Sequence, residues 1–156
     1  MANKLVAYFS ATGTTARAAK ELARKADADL VEIRPTRPYS AADLNWNDKD
    51  SRSSREMEEH NMRPSIKPLV RNPEDYDVIY LGFPIWWYRA PKIVRTFLET
   101  NNLSGKTIVV WATSGGSTLG STTTSLQRSA PGATFVEGGM ASNSRSIEKI
   151  ASKGDA

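Results

Sequence analysis

Apolar and polar positions alternate in blocks along this chain, and the blocks change period. Leu5-Val6-Ala7-Tyr8-Phe9 is a short continuous apolar run, which suits a strand buried on both faces. Ala18, Ala19, Leu22, Ala23 and Ala26 then recur at helical spacing, with Arg17, Lys20, Glu21, Arg24 and Lys25 on the opposite face. Leu30-Val31-Glu32-Ile33-Arg34 alternates, so it predicts a strand with one wet face at a sheet edge. Val78-Ile79-Tyr80-Leu81-Gly82-Phe83 is a third strand. Pro91 sits well in the first turn of a helix whose stripe is Ile93, Val94, Phe97 and Leu98. Thr107–Ala112 is a fourth strand, followed by a weaker helix to about Arg128. Thr134-Phe135-Val136 is the fifth strand, and Ser144–Lys153 a closing helix.

Strands that alternate with helices predict a parallel sheet covered on both faces, an α/β fold in three layers. Right-handed crossovers restrict its topology to a few arrangements. Residues 35–76 break the pattern. Pro35, Pro38, Pro64, Pro68 and Pro73 punctuate them, with a short helix predicted around Arg52–His60. A connection of that length either carries function or runs over the surface.

Composition narrows the chemistry. The chain has 156 residues, which predicts one domain over residues 1–156. With no cysteine, disulfides, thiolate metal sites, Fe–S clusters and thiol nucleophiles are excluded; the single histidine, His60, leaves little for a His-based metal site. No apolar run approaches the roughly 18 residues of a membrane span. Met1-Ala2-Asn3-Lys4 shows no signal-peptide pattern, so a cytoplasmic location is expected. The net charge of +4 comes from scattered bases beside acids, as in Lys20-Glu21 and Arg55-Glu56. No run of bases with interleaved aromatics is present, so a solvated surface is expected rather than nucleic-acid binding.

In a doubly wound sheet, ligands bind beyond the carboxyl ends of the strands. Three loops leave those ends. Ser10-Ala11-Thr12-Gly13-Thr14-Thr15 offers hydroxyls, a helix start and a glycine, which reads either as an anion site without Lys or Arg or as an ordinary helix cap. Pro84-Ile85-Trp86-Trp87-Tyr88 reads as a stacking wall for a flat ring, or as a hydrophobic plug or an oligomer contact. Thr113-Ser114-Gly115-Gly116-Ser117 offers backbone donors near where a ring edge would lie. Together the loops ask for a phosphate at one end of the ligand and a flat heteroaromatic at the other.

These three segments, with Gly82-Phe83 leading into the second, resemble the flavodoxin-like family, and the resemblance spans nearly the whole chain. Asp43-Leu44-Asn45-Trp46, Arg55-Glu56 and Arg63-Pro64 are similar to a bacterial branch of flavodoxin-domain proteins. The resemblance implies a five-stranded parallel sheet in the order 2-1-3-4-5, of short-chain form, with FMN as cofactor. It implies that Ser10, Ala11, Thr12, Gly13, Thr14 and Thr15 hold the phosphate. Pro84, Ile85, Trp86, Trp87 and Tyr88 would pack against the isoalloxazine. Thr113, Ser114, Gly115, Gly116 and Ser117 would serve its pyrimidine edge. The implied role is electron transfer; the alternative is an NAD(P)H-dependent reductase acting on a quinone or similar acceptor.

Other readings fail on the residues. Gly105-Lys106-Thr107 lacks the earlier glycine of a phosphate-binding loop and leads into a strand. No G-x-G-x-x-G and no G-x-S-x-G is present. A phosphorelay receiver would need acids at the end of the first strand, where Ser10 stands. One departure from flavodoxins is charge. From Val78 to Val136 the only acid is Glu99, against Arg89, Lys92, Arg95, Lys106 and Arg128. That favours an anionic partner, either a redox protein or a small anionic acceptor.

Overall fold

Side-chain alternation along the strands sorts the core into two layers. Leu5, Ala7, Phe9, Ile79, Leu81, Phe83, Ile108, Val110 and Ala112 are buried in one; Val6, Tyr8, Val78, Tyr80, Val109 and Trp111 in the other. The computed structural model describes residues 3–45, 47–59, 61–86, 89–114 and 118–154. Within them, β1 (Lys4–Tyr8), β2 (Asp29–Glu32), β3 (Val78–Pro84), β4 (Thr107–Thr113) and β5 (Thr134–Met140) form one sheet. Every pairing is parallel, and the order is β2-β1-β3-β4-β5.

Helices α1 (Thr14–Ala26), α2 (Arg52–Glu58), α3 (Lys92–Thr100), α4 (Thr122–Leu126) and α5 (Ser144–Lys153) follow in chain order. Ala19, Leu22, Ala23 and Ala26 of α1 and Ile147, Ile150 and Ala151 of α5 close one layer. Ile93, Val94, Phe97 and Leu98 of α3 and Leu126 of α4 close the other. Helix α1 and helix α3 therefore start on opposite faces of the sheet. The 35–76 connection joins the α3 side, where Tyr39, Ile66, Leu69 and Tyr76 pack against the core.

The elements fall within about two residues of where the sequence predicts them, with two larger differences. Helix α4 is one short turn that tightens into a 3-10 turn at Gln127–Ser129. Strand β5 runs on through Glu137-Gly138-Gly139-Met140, beyond the expected end at Val136. The register slips between Val110 and Trp111, opposite Gly139, which adopts φ +108. Gly138 is the extra residue of this bulge, and glycine takes the positive φ of Gly139 without a Cβ penalty.

Candidate functional site

The first loop is shaped by one backbone conformation. Gly13 adopts φ +97 and stands at the N-cap of α1. A Cβ there would meet nothing within 4 Å, so glycine is needed for its backbone angle rather than for space. The Gly13 N–H donates to Ser10 Oγ at 3.0 Å. No side chain caps α1, and its first turn has no acid. The positive end of the helix dipole is thus left without a counter-charge from the fold. Thr12 and Thr14 are exposed there. Thr15 is buried, and its hydroxyl pairs with that of Thr113 at 2.7 Å.

Thr113 ends β4 and is shared by all three loops. Its carbonyl accepts from Ile85 N at 3.0 Å, which fixes the start of the second loop. Trp86 N donates to Arg89 O at 2.8 Å and Arg89 N to Trp86 O at 2.9 Å, an antiparallel bridge. The residues between them, Trp87 and Tyr88, lie outside the described residues, as do Gly115, Gly116 and Ser117 of the third loop. Ser114 is described and exposed.

Trp86 is partly buried in an aromatic triad. Its ring meets Phe9 at 5.7 Å and Tyr39 at 5.5 Å between centroids, and Phe9 meets Tyr39 at 5.6 Å, all edge-to-face. Tyr39 belongs to the long connection, as does the group that holds it. Its hydroxyl donates to Glu56 Oε1, and the Arg52 guanidinium lies 3.9 Å from its ring centroid. Arg52 Nε donates to Glu56 Oε2 at 2.8 Å, and Arg52 Nη1 to Arg37 O at 2.6 Å. Burial, then the hydrogen bond to Glu56, push the Tyr39 pKa well above the usual tyrosine value. Arg89 Nη2 also donates to Met57 O at 3.2 Å. The connection is therefore a strap: α2 clamps the aromatic loop from outside, and Tyr39 packs beneath it.

Beside the first loop, towards β2, lies a cavity of about 240 Å³ whose lining includes Ser10, Ala11, Tyr39, the bases Arg34 and Lys67, and the acid Glu32. Arg34 follows β2 and Lys67 belongs to the connection, so both bases come from outside the Ser10–Thr15 loop. The three loops stand at the strand ends the sequence marks, while Tyr39, Arg52, Glu56 and the Thr15–Thr113 link were not read from it. Only the i,i+4 spacing of Arg52 and Glu56 signals any of this in advance.

Residues 3–154 match the family model of flavodoxin. This chain belongs to the flavodoxin family. It is similar to a protein of Bacteroides eggerthii classed as a flavoprotein, at 45% identity and a TM-score of 0.90, covering 100% of this chain and 99% of that one. A second such protein, from Bacteroides uniformis, is 42% identical with a TM-score of 0.84, covering 95% and 96%. The fold is shared with a flavoprotein of Lactobacillus acidophilus solved in complex with FMN, at 20% identity and a TM-score of 0.69, covering 88% and 91%. No curated protein matches the chain. Among the described residues no helix is long and apolar enough to cross a membrane.

Proposed function

We propose that this flavodoxin-family chain binds FMN across the carboxyl ends of β1, β3 and β4 and serves in electron transfer in the cytoplasm, with residues 1–156 acting as one domain. The observation that carries the reading is the uncapped start of α1 at Gly13. It joins an unneutralised helix dipole to the hydroxyls of Ser10, Thr12 and Thr14. That donor set fits a phosphate monoester. The FMN complex of the Lactobacillus acidophilus relative, which shares this fold, supports the same cofactor.

Ser10 to Thr15 would hold the phosphate, Trp86, Trp87 and Tyr88 would line the ring, and Thr113 to Ser117 would serve its edge. FMN supplies the reversible electron chemistry, and the protein sets where it happens. Thr15 acts through Thr113, fixing the first turn of α1 against the end of β4. Phe9 and Tyr39 pack edge-to-face against Trp86 just beyond the end of β3. Glu56 and Arg52 in turn hold Tyr39, through a hydrogen bond to its hydroxyl and a guanidinium over its ring.

The test is a pair of titrations with FMN and riboflavin, followed by visible absorbance. Thr12→Val with Thr14→Val is expected to weaken FMN about tenfold or more per lost hydroxyl, since a hydrogen bond to a charged group is worth about 1.5–3 kcal/mol. Riboflavin, which has no phosphate, is expected to bind as before. Equal loss for both ligands would place the phosphate elsewhere.

A second reading has its own support. Between Val78 and Val136 the only acid is Glu99, which suits a reductase that meets NAD(P)H and a quinone or similar anionic acceptor better than a carrier that docks on a basic protein. Mixing the FMN-loaded protein with NADPH separates the two: bleaching of the visible band within seconds marks the reductase.

A further inference from the structure

Two cations face each other beside the first loop. Pro35 and Ile66 form an antiparallel bridge, in which Lys67 N donates to Arg34 O at 2.7 Å and Thr36 N to Ser65 O at 2.9 Å. The bridge sets Arg34 directly opposite Lys67, with both side chains on one face. Both line the cavity of about 240 Å³ that adjoins the Ser10–Thr15 loop. Neither side chain makes a hydrogen bond or ion pair among the described residues.

Like charges directly opposite on paired strands repel, and opposite charges there would stabilise the pairing. Position 67 holds a lysine where an acid would serve the fold better. The acid of the lining, Glu32, stands at the end of β2 and forms no ion pair with either base. An anion held between Arg34 and Lys67 removes the repulsion. A guanidinium fork beside an ammonium suits the oxygens of a phosphoryl group.

Charge and neighbours narrow the ligand. The two bases and Glu32 sum to one positive charge. A phosphate monoester brings nearly two negative charges, whereas a phosphoryl within a diphosphate bridge brings one. Glu32 would repel a lone phosphate. Beside a nucleotide it has a partner of its own, because a carboxylate near the end of the second strand of a doubly wound sheet suits the hydroxyls of an adenosine ribose. Ser10 and Ala11 line the cavity and also begin the loop assigned to the FMN phosphate. A group esterified to that phosphate would therefore enter the cavity past Ser10, where Pro35, Pro38 and Tyr39 add apolar surface.

We infer that this cavity receives the adenylyl half of flavin adenine dinucleotide, so that the chain takes FAD as well as FMN. Arg34 and Lys67 hold the second phosphoryl group, and Glu32 accepts from the ribose hydroxyls. The inference rests on the FMN reading, because the flavin half must lie in the three loops.

The test is titration of the flavin-free protein with FMN and, separately, with FAD, followed by visible absorbance. The wild type is expected to bind FAD at least as tightly as FMN. Arg34→Gln/Lys67→Gln is expected to weaken FAD by about tenfold or more, since a hydrogen bond to a charged group is worth roughly that factor. FMN binding should hold. Neither side chain is buried, so the variant is expected to fold, with a melting temperature no lower than that of the wild type once the repulsion is gone. Glu32→Ala separates recognition from bare charge. Loss of an acid would tighten an anion held by charge alone; here FAD is expected to weaken, because the ribose loses its acceptor, while FMN holds. FMN bound with FAD refused, FAD unaffected by Arg34→Gln/Lys67→Gln, or FAD tightened by Glu32→Ala would overturn the inference and leave the FMN reading standing. Uptake of neither flavin would overturn both.

Discussion

The hydroxyls of Thr15 and Thr113 lie 2.7 Å apart across 98 positions of sequence. Both residues are buried, so water does not compete for either oxygen. One belongs to the first turn of α1, the other ends β4. Thr113 also receives Ile85 N on its carbonyl. The three loops at this end of the sheet are therefore held by a single residue, through its side chain and its backbone. A shift of Thr113 would reach all three.

That arrangement sets an expectation for double substitution. Thr113→Val leaves the Thr15 hydroxyl buried and unpaired, at a cost of about 1–3 kcal/mol. Adding Thr15→Val removes the orphan, so the double variant is expected to lose clearly less than the sum of the singles. Urea unfolding of the four proteins measures this. Additivity within about 0.5 kcal/mol would show that the hydroxyls are not coupled.

The aromatic triad makes a different claim. Tyr39→Phe keeps the ring beside Phe9 and Trp86 but removes the hydrogen bond to Glu56. The expected loss is about 1.5–3 kcal/mol, because the acceptor is a buried carboxylate. FMN affinity should change little, since the wall survives. Trp86→Ala should instead remove much of the tryptophan quenching that FMN causes. If Trp86→Ala leaves the quenching whole, this ring does not face the flavin.

Much of this was legible in the sequence because the signals were local. β1, β3 and β4 are apolar runs, and α5 matches its expected bounds because Asn143 and Ser146 form a reciprocal cap at its start. The order of 35–76 was not legible, because it comes from distant contacts. Tyr39 reads as one more residue in a proline-rich stretch until Glu56 and Trp86 are seen beside it. The burial of Lys92, the first residue of α3, was hidden for the same reason. The apolar stripe of α3 reads from Ile93, Val94, Phe97 and Leu98, but residues near Pro64 cover another face, where Thr96 donates to Pro64 O at 2.8 Å. At Trp86, composition marked an aromatic loop without saying whether the ring turns inward. It packs on the core beneath its own loop, and the faces of Trp87 and Tyr88 lie outside the described residues.

Gly82 gives a test of packing under the same loops. It pairs with Trp111 in the β3–β4 register, and a Cβ on Gly82 would fall 2.0 Å from Trp111 Cζ2. Gly82→Ala is therefore expected to cost at least the usual 1–3 kcal/mol of an overpacked core. Trp111→Phe in the same chain should recover part of that, by freeing space and removing a buried indole N–H that has no partner among the described residues. Thermal unfolding of both variants reads the effect. No recovery in the double variant would mean that the strand backbone, not the indole, resists the added methyl.

Acid stability isolates the Arg63–Glu99 pair, which ties the connection to α3. The hydrogen bond from Arg63 holds the Glu99 carboxyl below its ordinary value; Ser129 acts the same way, and burial opposes both. A carboxyl with a lowered pKa binds fewer protons in the folded chain than in the unfolded one. Its contribution is then fully present above the unfolded value, near 4.5, and fades as pH falls through the folded one. Glu99→Gln keeps the shape and removes the titration. The wild type is expected to exceed Glu99→Gln at pH 7 by up to about 1 kcal/mol, because the pair is about one-third exposed and screened. The gap should narrow progressively below pH 4.5, and shrink in 1 M salt at any pH. Denaturant midpoints from pH 3 to pH 7, without phosphate in the buffer, measure it. A gap constant across that range would mean that Glu99 acts through packing and its bond from Ser129, and not through its charge.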